Sequence, residues 1–111
     1  MHYLLELYSP KAAWLALDGA ARQAYFDKVG AGMAALSGMG AEALAMGAVA
    51  GGKLHGAPQQ CYAVWRFPDE AALDALLAGI AATGWHDYFD TINAAGPGVD
   101  FPAHLAQLAA L

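Results

Sequence analysis

A strand that runs directly into an amphipathic helix is the feature that most constrains the fold of this chain. The strand is predicted at Cys61 to Phe67, CYAVWRF, where β-branched and aromatic residues follow one another. The segment Pro68 to Glu70 then opens a helix, with acidic side chains at the positive end of its dipole. An apolar stripe at helical spacing follows, formed by Leu73, Leu76, Leu77 and Ile80. Gly84 is expected to end this helix.

A second strand and helix are predicted before this unit. His2 to Tyr8 is rich in strand formers and ends at a Ser-Pro turn signal. One face of this strand is expected to point into the core: it carries Tyr3, Leu5 and Leu7. A helix follows, with Asp18 as its N-cap and Leu36 as its last apolar position. Gly30 and Gly32 weaken this helix by about 1 kcal/mol each and are expected to mark its close approach to the sheet.

The remaining segments complete a βαββαβ order. Glu42 to Ala50 is short and lies between glycine clusters, which favours a strand although alanine and leucine prefer helix. A helix face would be formed by Trp85, Tyr88, Phe89 and Ile92. A fourth strand would complete the sheet, however, so Tyr88 to Asn93 is predicted as a strand, residues 94–98 as a loop, and Asp100 as the start of a short helix. The order predicts an α+β, ferredoxin-like fold with an antiparallel four-stranded sheet and a short C-terminal helix.

The composition indicates one domain, residues 1–111, whose core has few large apolar side chains. The hydrophobic fraction is 59%, but much of it is alanine, which buries little area per residue. The heavier side chains are mainly leucine together with three Trp, five Tyr and four Phe. Such a chain gains from burying more surface against a second copy of itself, so a homodimer is expected.

Charge and hydropathy exclude several classes of partner. A net charge of −5, with only five Lys and Arg, leaves no basic stripe for phosphates and argues against nucleic acid. No uninterrupted apolar run predicts a membrane-spanning helix, and the first residues lack the basic segment of a secretory signal. The single cysteine, Cys61, excludes an internal disulfide. A cytoplasmic protein without a membrane partner is expected.

Several motifs together carry a resemblance to a known superfamily. They are the strand-to-helix junction VWRFPDEAALDALL, the block GWHDYF after that helix, Trp14 near the first helix, and the short C-terminal helix. With the βαββαβ order, the chain resembles the dimeric α+β barrel superfamily, which includes antibiotic-biosynthesis monooxygenases, muconolactone isomerases and haem-degrading oxygenases. It is more closely similar to small bacterial proteins with a VW-x-FP and GW-x-x-YF pattern. The resemblance implies a homodimer joined through its sheets and a pocket between sheet and helices.

The residues predict neither a metal site nor an activated nucleophile. The four histidines, at positions 2, 55, 86 and 104, form no pair with metal-ligand spacing. His86, Asp87 and Asp90 could approach one another locally, but a metal site needs a converging set of ligands. The resemblance allows haem held by an axial histidine, although no histidine is singled out for it. Cys61 begins a strand without a neighbouring base and is predicted to be an inert core thiol. No metal or cofactor is assigned.

Three side chains are candidates for chemistry. Glu6 and Arg66 fall in two strands that are adjacent at the centre of a ferredoxin-like sheet. A buried charge without a partner is costly, so they are expected to pair with each other or with a shared ligand. His86 is the only imidazole within the aromatic block, and imidazole is the side-chain group best suited to proton transfer near neutrality. It is the predicted proton carrier, with Glu6 and Arg66 orienting the ligand.

The favoured function is a cofactor-independent enzyme for a small aromatic or polyketide-like molecule, of monooxygenase, isomerase or cyclase type. Ligand contacts are predicted from Trp65, Tyr62, Trp85, Tyr88 and Tyr25. Aromatic side chains more often supply packing area than ligand contacts, and Trp85, Tyr88 and Phe89 are expected mainly to fill the core. Two alternatives stay open: a small-ligand-binding or stress-related protein without catalysis, and a haem-binding oxygenase.

Overall fold

The computed structural model describes residues 1–111 and contains one antiparallel sheet of four strands. The strands are β1 (His2–Pro10), β2 (Glu42–Ala48), β3 (Cys61–Phe67) and β4 (Phe89–Pro97). Their order across the sheet is β2-β3-β1-β4, so the two strands predicted to be central, β1 and β3, are the central pair. The predicted βαββαβ fold and the bounds of β3 are confirmed.

The structure contains five α-helices, and the predicted N-cap at Asp18 is confirmed. They are α1 (Ala12–Leu15), α2 (Gly19–Leu36), α3 (Glu70–Ala82), α4 (Trp85–Tyr88) and α5 (Phe101–Ala109). The carboxylates of Asp18, Asp69 and Asp100 each accept a backbone N–H three residues on, at 2.8, 2.8 and 2.9 Å. Such a cap stabilises a helix start by about 1 kcal/mol. None of these helices is both long and apolar enough to cross a membrane.

The segment after α3 departs from the prediction at both of its ends. Trp85–Tyr88 forms one helical turn after Gly84, whose φ of +83° favours glycine. β4 then runs to Pro97, so residues predicted as a loop belong to the strand. Pairing with β1 continues as far as His2 opposite Pro97. Proline is tolerated there because β4 is an edge strand and needs no further donor at its end.

Helices cover only one face of the sheet, and it is not the face that was expected to be the core. The core consists of Leu4, Ala63, Trp65, Phe67, Ala72, Leu73 and Leu76, with the last three contributed by α3. Leu5 lies on the opposite, outer face and is 41% exposed. Alternation shows which side chains share a face, but not which face the helices cover, so the assignment of Tyr3, Leu5 and Leu7 to the core was wrong.

A second cluster of aromatic side chains closes the end of the sheet where β1 ends and β4 begins. Its buried members are Trp14, Tyr25 and Phe89, with Tyr8, Trp85 and Tyr88 packed around them. The rings meet mostly edge to face, as in the pair Trp14–Tyr25 at 5.8 Å between centroids. This cluster joins α1, α2 and α4 to the sheet, and it uses much of the bulk that the alanine-rich chain possesses.

We predict that Trp14→Ala lowers the free energy of unfolding by about 3–5 kcal/mol, because it removes a large buried ring from the centre of the aromatic cluster. Leu15→Ala, on the same short helix, is the matched control because Leu15 is 63% exposed. It should change stability by less than about 0.5 kcal/mol. Urea denaturation followed by far-UV circular dichroism measures both, and equal losses in the two variants would contradict the packing account.

Candidate functional site

A cavity of about 260 Å³ lies between α2 and the helix-covered face of the sheet. It exists because α3 packs directly on β1 and β3, whereas α2 packs on α3 and stands off the sheet. Most of its walls are apolar, including Phe26, Val29 and Met33 of α2 and Met46 of β2. Phe26 and Met46 are 48% and 55% exposed, so the cavity opens to solvent between α2 and the β2 edge.

Glu6 is the one carboxylate in the cavity wall, and the strand register explains how it is held there. Ala63 lies directly opposite Glu6, and Trp65 is its diagonal neighbour on the same face. The small side chain of Ala63 leaves room for the indole, whose Nε1 donates a hydrogen bond of 2.8 Å to Oε1 of Glu6. Glu6 is only 4% exposed, and Oε2 has no hydrogen-bond partner within the chain.

Burial controls the ionisation of this carboxyl. Removal from water raises the pKa of Glu6 above its ordinary value, and the hydrogen bond from Trp65 opposes part of that rise. Glu6 therefore keeps its proton to a higher pH than a carboxyl at the surface. A carboxyl with a raised pKa in an apolar cavity is a typical general acid or base.

Tyr8 and Thr83 are the other polar groups of interest on the cavity wall. The Thr83 hydroxyl donates to the Ile80 carbonyl at 2.7 Å, so the 3.1 Å bond between Thr83 and Tyr25 has the tyrosine as donor. Thr83 thus has its donor satisfied within the chain. Burial raises the pKa of Tyr8, and Cys61 and Glu6 raise it further. Its hydroxyl stays protonated and has no partner in the chain, so Tyr8 and Glu6 are the groups free to bind a ligand.

The predicted ligand contacts divide into three groups. Trp65 and Trp85 line the cavity. Tyr25 and Tyr88 lie behind it in the aromatic cluster, 5.0 Å apart between ring centroids. Tyr62 is on the outer face, where its ring lies over Gly47 of β2. The packing role expected of Phe89 holds, since it is buried, but Trp85 does more than fill space because its indole also forms part of the cavity wall.

The predicted pairing of Glu6 with Arg66 is wrong. Arg66 lies opposite Tyr3, and Ala63 lies opposite Glu6, three residues away along β3. Side chains an odd number of positions apart on a strand point to opposite faces, so Arg66 points to the outer face. There it pairs with Glu42 of β2 at 2.6 Å, which raises the pKa of the guanidinium. The sequence identified the two strands as neighbours but not their register, and one residue of register decides the face.

His86 is not brought to the cavity either. It lies exposed on α4, and its backbone carbonyl accepts a hydrogen bond of 2.6 Å from Lys11. The turn formed by α4 directs Trp85 to the cavity and leaves the next residue on the solvent side. The expectation that His86 sits at the mouth of the pocket is therefore wrong.

Several cavity residues were missed or misjudged from the sequence. Tyr8 could have been found, because it follows Glu6 by two residues and shares its face of β1. Gly32 was expected to mark a close approach of α2 to the sheet, but it borders the cavity instead. Gly30 faces open space. Phe26, Val29 and Met33 follow one another at helical spacing, so they share one face of α2, and this face borders the cavity.

The sheet in the order β2-β3-β1-β4, with helices on one face, is the α+β ferredoxin-like fold. The chain belongs to a family of unknown function, DUF6616, whose model matches residues 1–111. No curated protein matches the sequence.

Among solved structures, the chain is similar to a crystal structure provisionally assigned as a chlorite dismutase. The two share 14% sequence identity with a TM-score of 0.65, over 89% of this chain and 44% of that one. The likeness is one of fold, and it agrees with the ferredoxin-like architecture of this chain. This chain spans less than half the length of that structure.

The cavity residues do not fit a haem. Haem iron is held by His, Cys, Met or Tyr side chains, and the predicted haem alternative uses an axial histidine. Tyr8, Met33 and Met46 line this cavity, but no histidine or cysteine does. The propionate groups of a haem favour cationic partners, whereas the only ionisable wall residues are Glu6 and Tyr8. No group of three or more His, Cys, Asp or Glu side chains converges on a metal position elsewhere in the chain. The cavity therefore offers neither the axial histidine of the haem alternative nor cationic partners for the propionates.

We predict that the pH dependence of stability reports the burial of Glu6. Because its pKa in the folded chain lies above 4.5, folding is favoured by the bound proton. That stabilisation is complete below pH 4.5 and is lost as the pH rises through the folded pKa. The free energy of unfolding of the wild type should therefore fall relative to Glu6→Gln above pH 4.5, by at most about 1.4 kcal/mol per pH unit.

Urea denaturation between pH 4 and pH 8 measures this difference. Glu42→Gln is the matched control, because it removes an exposed carboxylate from the other face of the sheet. It should retain the fall seen in the wild type. Parallel curves for the wild type and Glu6→Gln over this range would show that the carboxyl is not buried as described.

Proposed function

We propose that this chain is a small-molecule enzyme that binds a mostly apolar ligand between α2 and the sheet and uses Glu6 to move a proton on it. The observation that carries the proposal is the Glu6 carboxyl in an otherwise apolar cavity, held by Trp65 through one oxygen and free at the other. A cavity with apolar walls and few polar groups is the usual character of a small-molecule site.

The supported chemistry is proton transfer without a cofactor, as in an isomerase. As a carboxylate, Oε2 of Glu6 would take a proton from a carbon next to a carbonyl group of the ligand. The Tyr8 hydroxyl lies on the same wall and would donate a hydrogen bond to the oxygen of the resulting enolate. Glu6 would then return the proton to another carbon, so no electron donor or acceptor is required. Small aromatic or polyketide-like ketones are suitable substrates for such a step.

A ligand-binding protein without catalysis is the second candidate. It is favoured because Glu6 is the single carboxyl on the wall, and neither Arg66 nor His86 lies there to assist it. Binding would need only the cavity and its two free polar groups. Turnover separates the two candidates, because a binding protein would retain a ligand without exchanging its protons.

A homodimer joined through the outer face of the sheet is part of the proposal. That face carries apolar side chains that no helix covers, among them Leu5 at 41% and Ile92 at 59% exposure. The chain alone buries only 11 of its 111 residues, which leaves much of its apolar surface in water. Two such faces packed together would bury this surface, as the resemblance to dimeric α+β barrels implies.

We predict that the wild type catalyses proton exchange on a two-ring ketone such as 2-tetralone in D₂O, and that Glu6→Gln slows this exchange by roughly 100-fold or more. Glutamine can accept the Trp65 hydrogen bond but cannot carry the proton. Loss of the ligand's α-proton signals in NMR spectra measures the rate. Glu42→Gln is the control and should exchange at the wild-type rate. Binding without exchange would favour the binding protein, and equal rates in wild type and Glu6→Gln would exclude Glu6 as the proton carrier.

We also predict that Leu5→Lys converts a dimer into a monomer, because it places a charge at the centre of the outer face. Leu15→Lys, at an exposed position on α1, should remain dimeric. Light scattering at micromolar concentration should give twice the 11.5 kDa chain mass for the wild type and for the control. A wild-type mass of one chain would refute the dimer.

A further inference from the structure

Two glycines on the cavity wall have different physical roles. A Cβ at Gly79 of α3 would lie 3.0 Å from Cδ1 of Leu36, so this glycine permits α2 and α3 to pack closely. A Cβ at Gly32 of α2 would have only Thr83 Cγ2 within reach, at 3.7 Å, which is an ordinary contact. The packing of the chain therefore does not require glycine at position 32.

Glycine at position 32 nevertheless has a cost. In the middle of a helix it is less favourable than alanine, because the unfolded backbone loses more freedom. Its φ is not in the left-handed region, so its backbone conformation gives no reason for it either. What distinguishes Gly32 from Gly30 is position: Gly32 borders the cavity, whereas a Cβ at Gly30 would meet nothing within 4 Å. The missing side chain keeps space in the cavity.

We infer that Gly32 sets the size limit of the cavity, and that this limit admits a neutral two-ring molecule with one hydroxyl or carbonyl group directed to Glu6 and Tyr8. The inference rests on the proposed function, because it names the ligand class of the same site. Gly32 is thus a specificity-determining residue, and it takes no part in proton transfer.

The cavity volume and its walls give the ligand class. An apolar protein cavity of about 150 Å³ holds one benzene molecule. A volume of about 260 Å³ is therefore too large to be filled by one ring, and it suits two fused rings. No Lys, Arg or His lines the walls, so nothing there offsets the charge of an anion. The free Oε2 of Glu6 accepts a ligand hydroxyl, and the free hydroxyl of Tyr8 donates to a ligand oxygen.

Phenol, 2-naphthol and 9-phenanthrol are the probes, with one, two and three rings. Binding is followed in ¹⁵N-labelled protein by the indole N–H signal of Trp65, which hydrogen-bonds to Glu6 at the cavity wall. The indole of Trp14 is the internal reference, because it is buried outside the cavity. The wild type should bind 2-naphthol about tenfold more tightly than phenol, since the second ring buries further apolar area. 9-Phenanthrol should bind at least about tenfold more weakly than 2-naphthol, because the third ring does not fit.

Variants at two positions of α2 test the role of Gly32. Gly32→Ala should weaken the binding of 2-naphthol by about tenfold and the binding of phenol by less than about twofold. Gly32→Leu should abolish the binding of 2-naphthol. Gly30→Leu is the matched control and should bind all three probes as the wild type does. Gly32→Ala is expected to fold at least as stably as the wild type, because alanine is the better helix former and its methyl group clashes with nothing.

The outcomes separate this inference from the proposed function. If both Gly32 variants bind 2-naphthol as tightly as the wild type and Glu6→Gln does not bind it, the inferred role of Gly32 is refuted. The proposed ligand site would still be supported by that result. Equal binding of 9-phenanthrol and 2-naphthol by the wild type would also overturn the inference. If no probe shifts the Trp65 signal, the inference and the proposed ligand site fail together.

Discussion

The hydrogen bond from Trp65 to Glu6 is the interaction on which the site depends. A carboxyl on the helix-covered face of a sheet loses most of its hydration, which would cost several kcal/mol if nothing replaced the lost water. The indole N–H supplies one strong donor at 2.8 Å without adding a charge. Because no cation is present to neutralise it, Glu6 responds to burial by a raised pKa and not by an ion pair.

This arrangement links the fold to the chemistry. Register places Ala63 opposite Glu6 and Trp65 on the diagonal, so two central strands hold both partners on one face. The stand-off of α2 from the sheet leaves Glu6 on the wall of a cavity and not in a packed core. The site is thus built on rigid strands, while the helix that borders it carries glycine where a side chain would fill the space.

The sequence predicted the elements of the fold better than it predicted the site. Strand composition and the order of elements predicted the four-stranded sheet correctly, and β3 to the residue. The N-cap predicted at Asp18 is also present. The need of Glu6 for a partner was also foreseen. The predicted partner was a charge, Arg66, whereas the actual partner is the neutral indole of Trp65, which was predicted only as a ligand contact. Arg66 was misplaced because hydrophobic alternation does not reveal the register between two strands.

The errors at β1 and α4 have a common cause. Tyr3, Leu5 and Leu7 are apolar enough for a core, yet they lie on the face that the helices leave open. The proposed dimer would bury these side chains, which the chain's own helices leave uncovered. The block GWHDYFD was expected to present His86 to a pocket. Its single helical turn instead presents Trp85, and this orientation follows from Gly84 and the packing of the aromatic cluster, which no periodicity shows.

The titration of Glu6 itself tests the central claim most directly. The carboxyl ¹³C chemical shift of labelled glutamates, with Glu6 assigned by its loss in Glu6→Gln, gives the pKa of the folded chain. We expect a midpoint above 4.5 in the wild type. The midpoint should be higher still in Trp65→Phe, because the indole hydrogen bond favours the ionised form of Glu6. A midpoint at or below 4.5 in the wild type, unchanged by Trp65→Phe, would contradict the account.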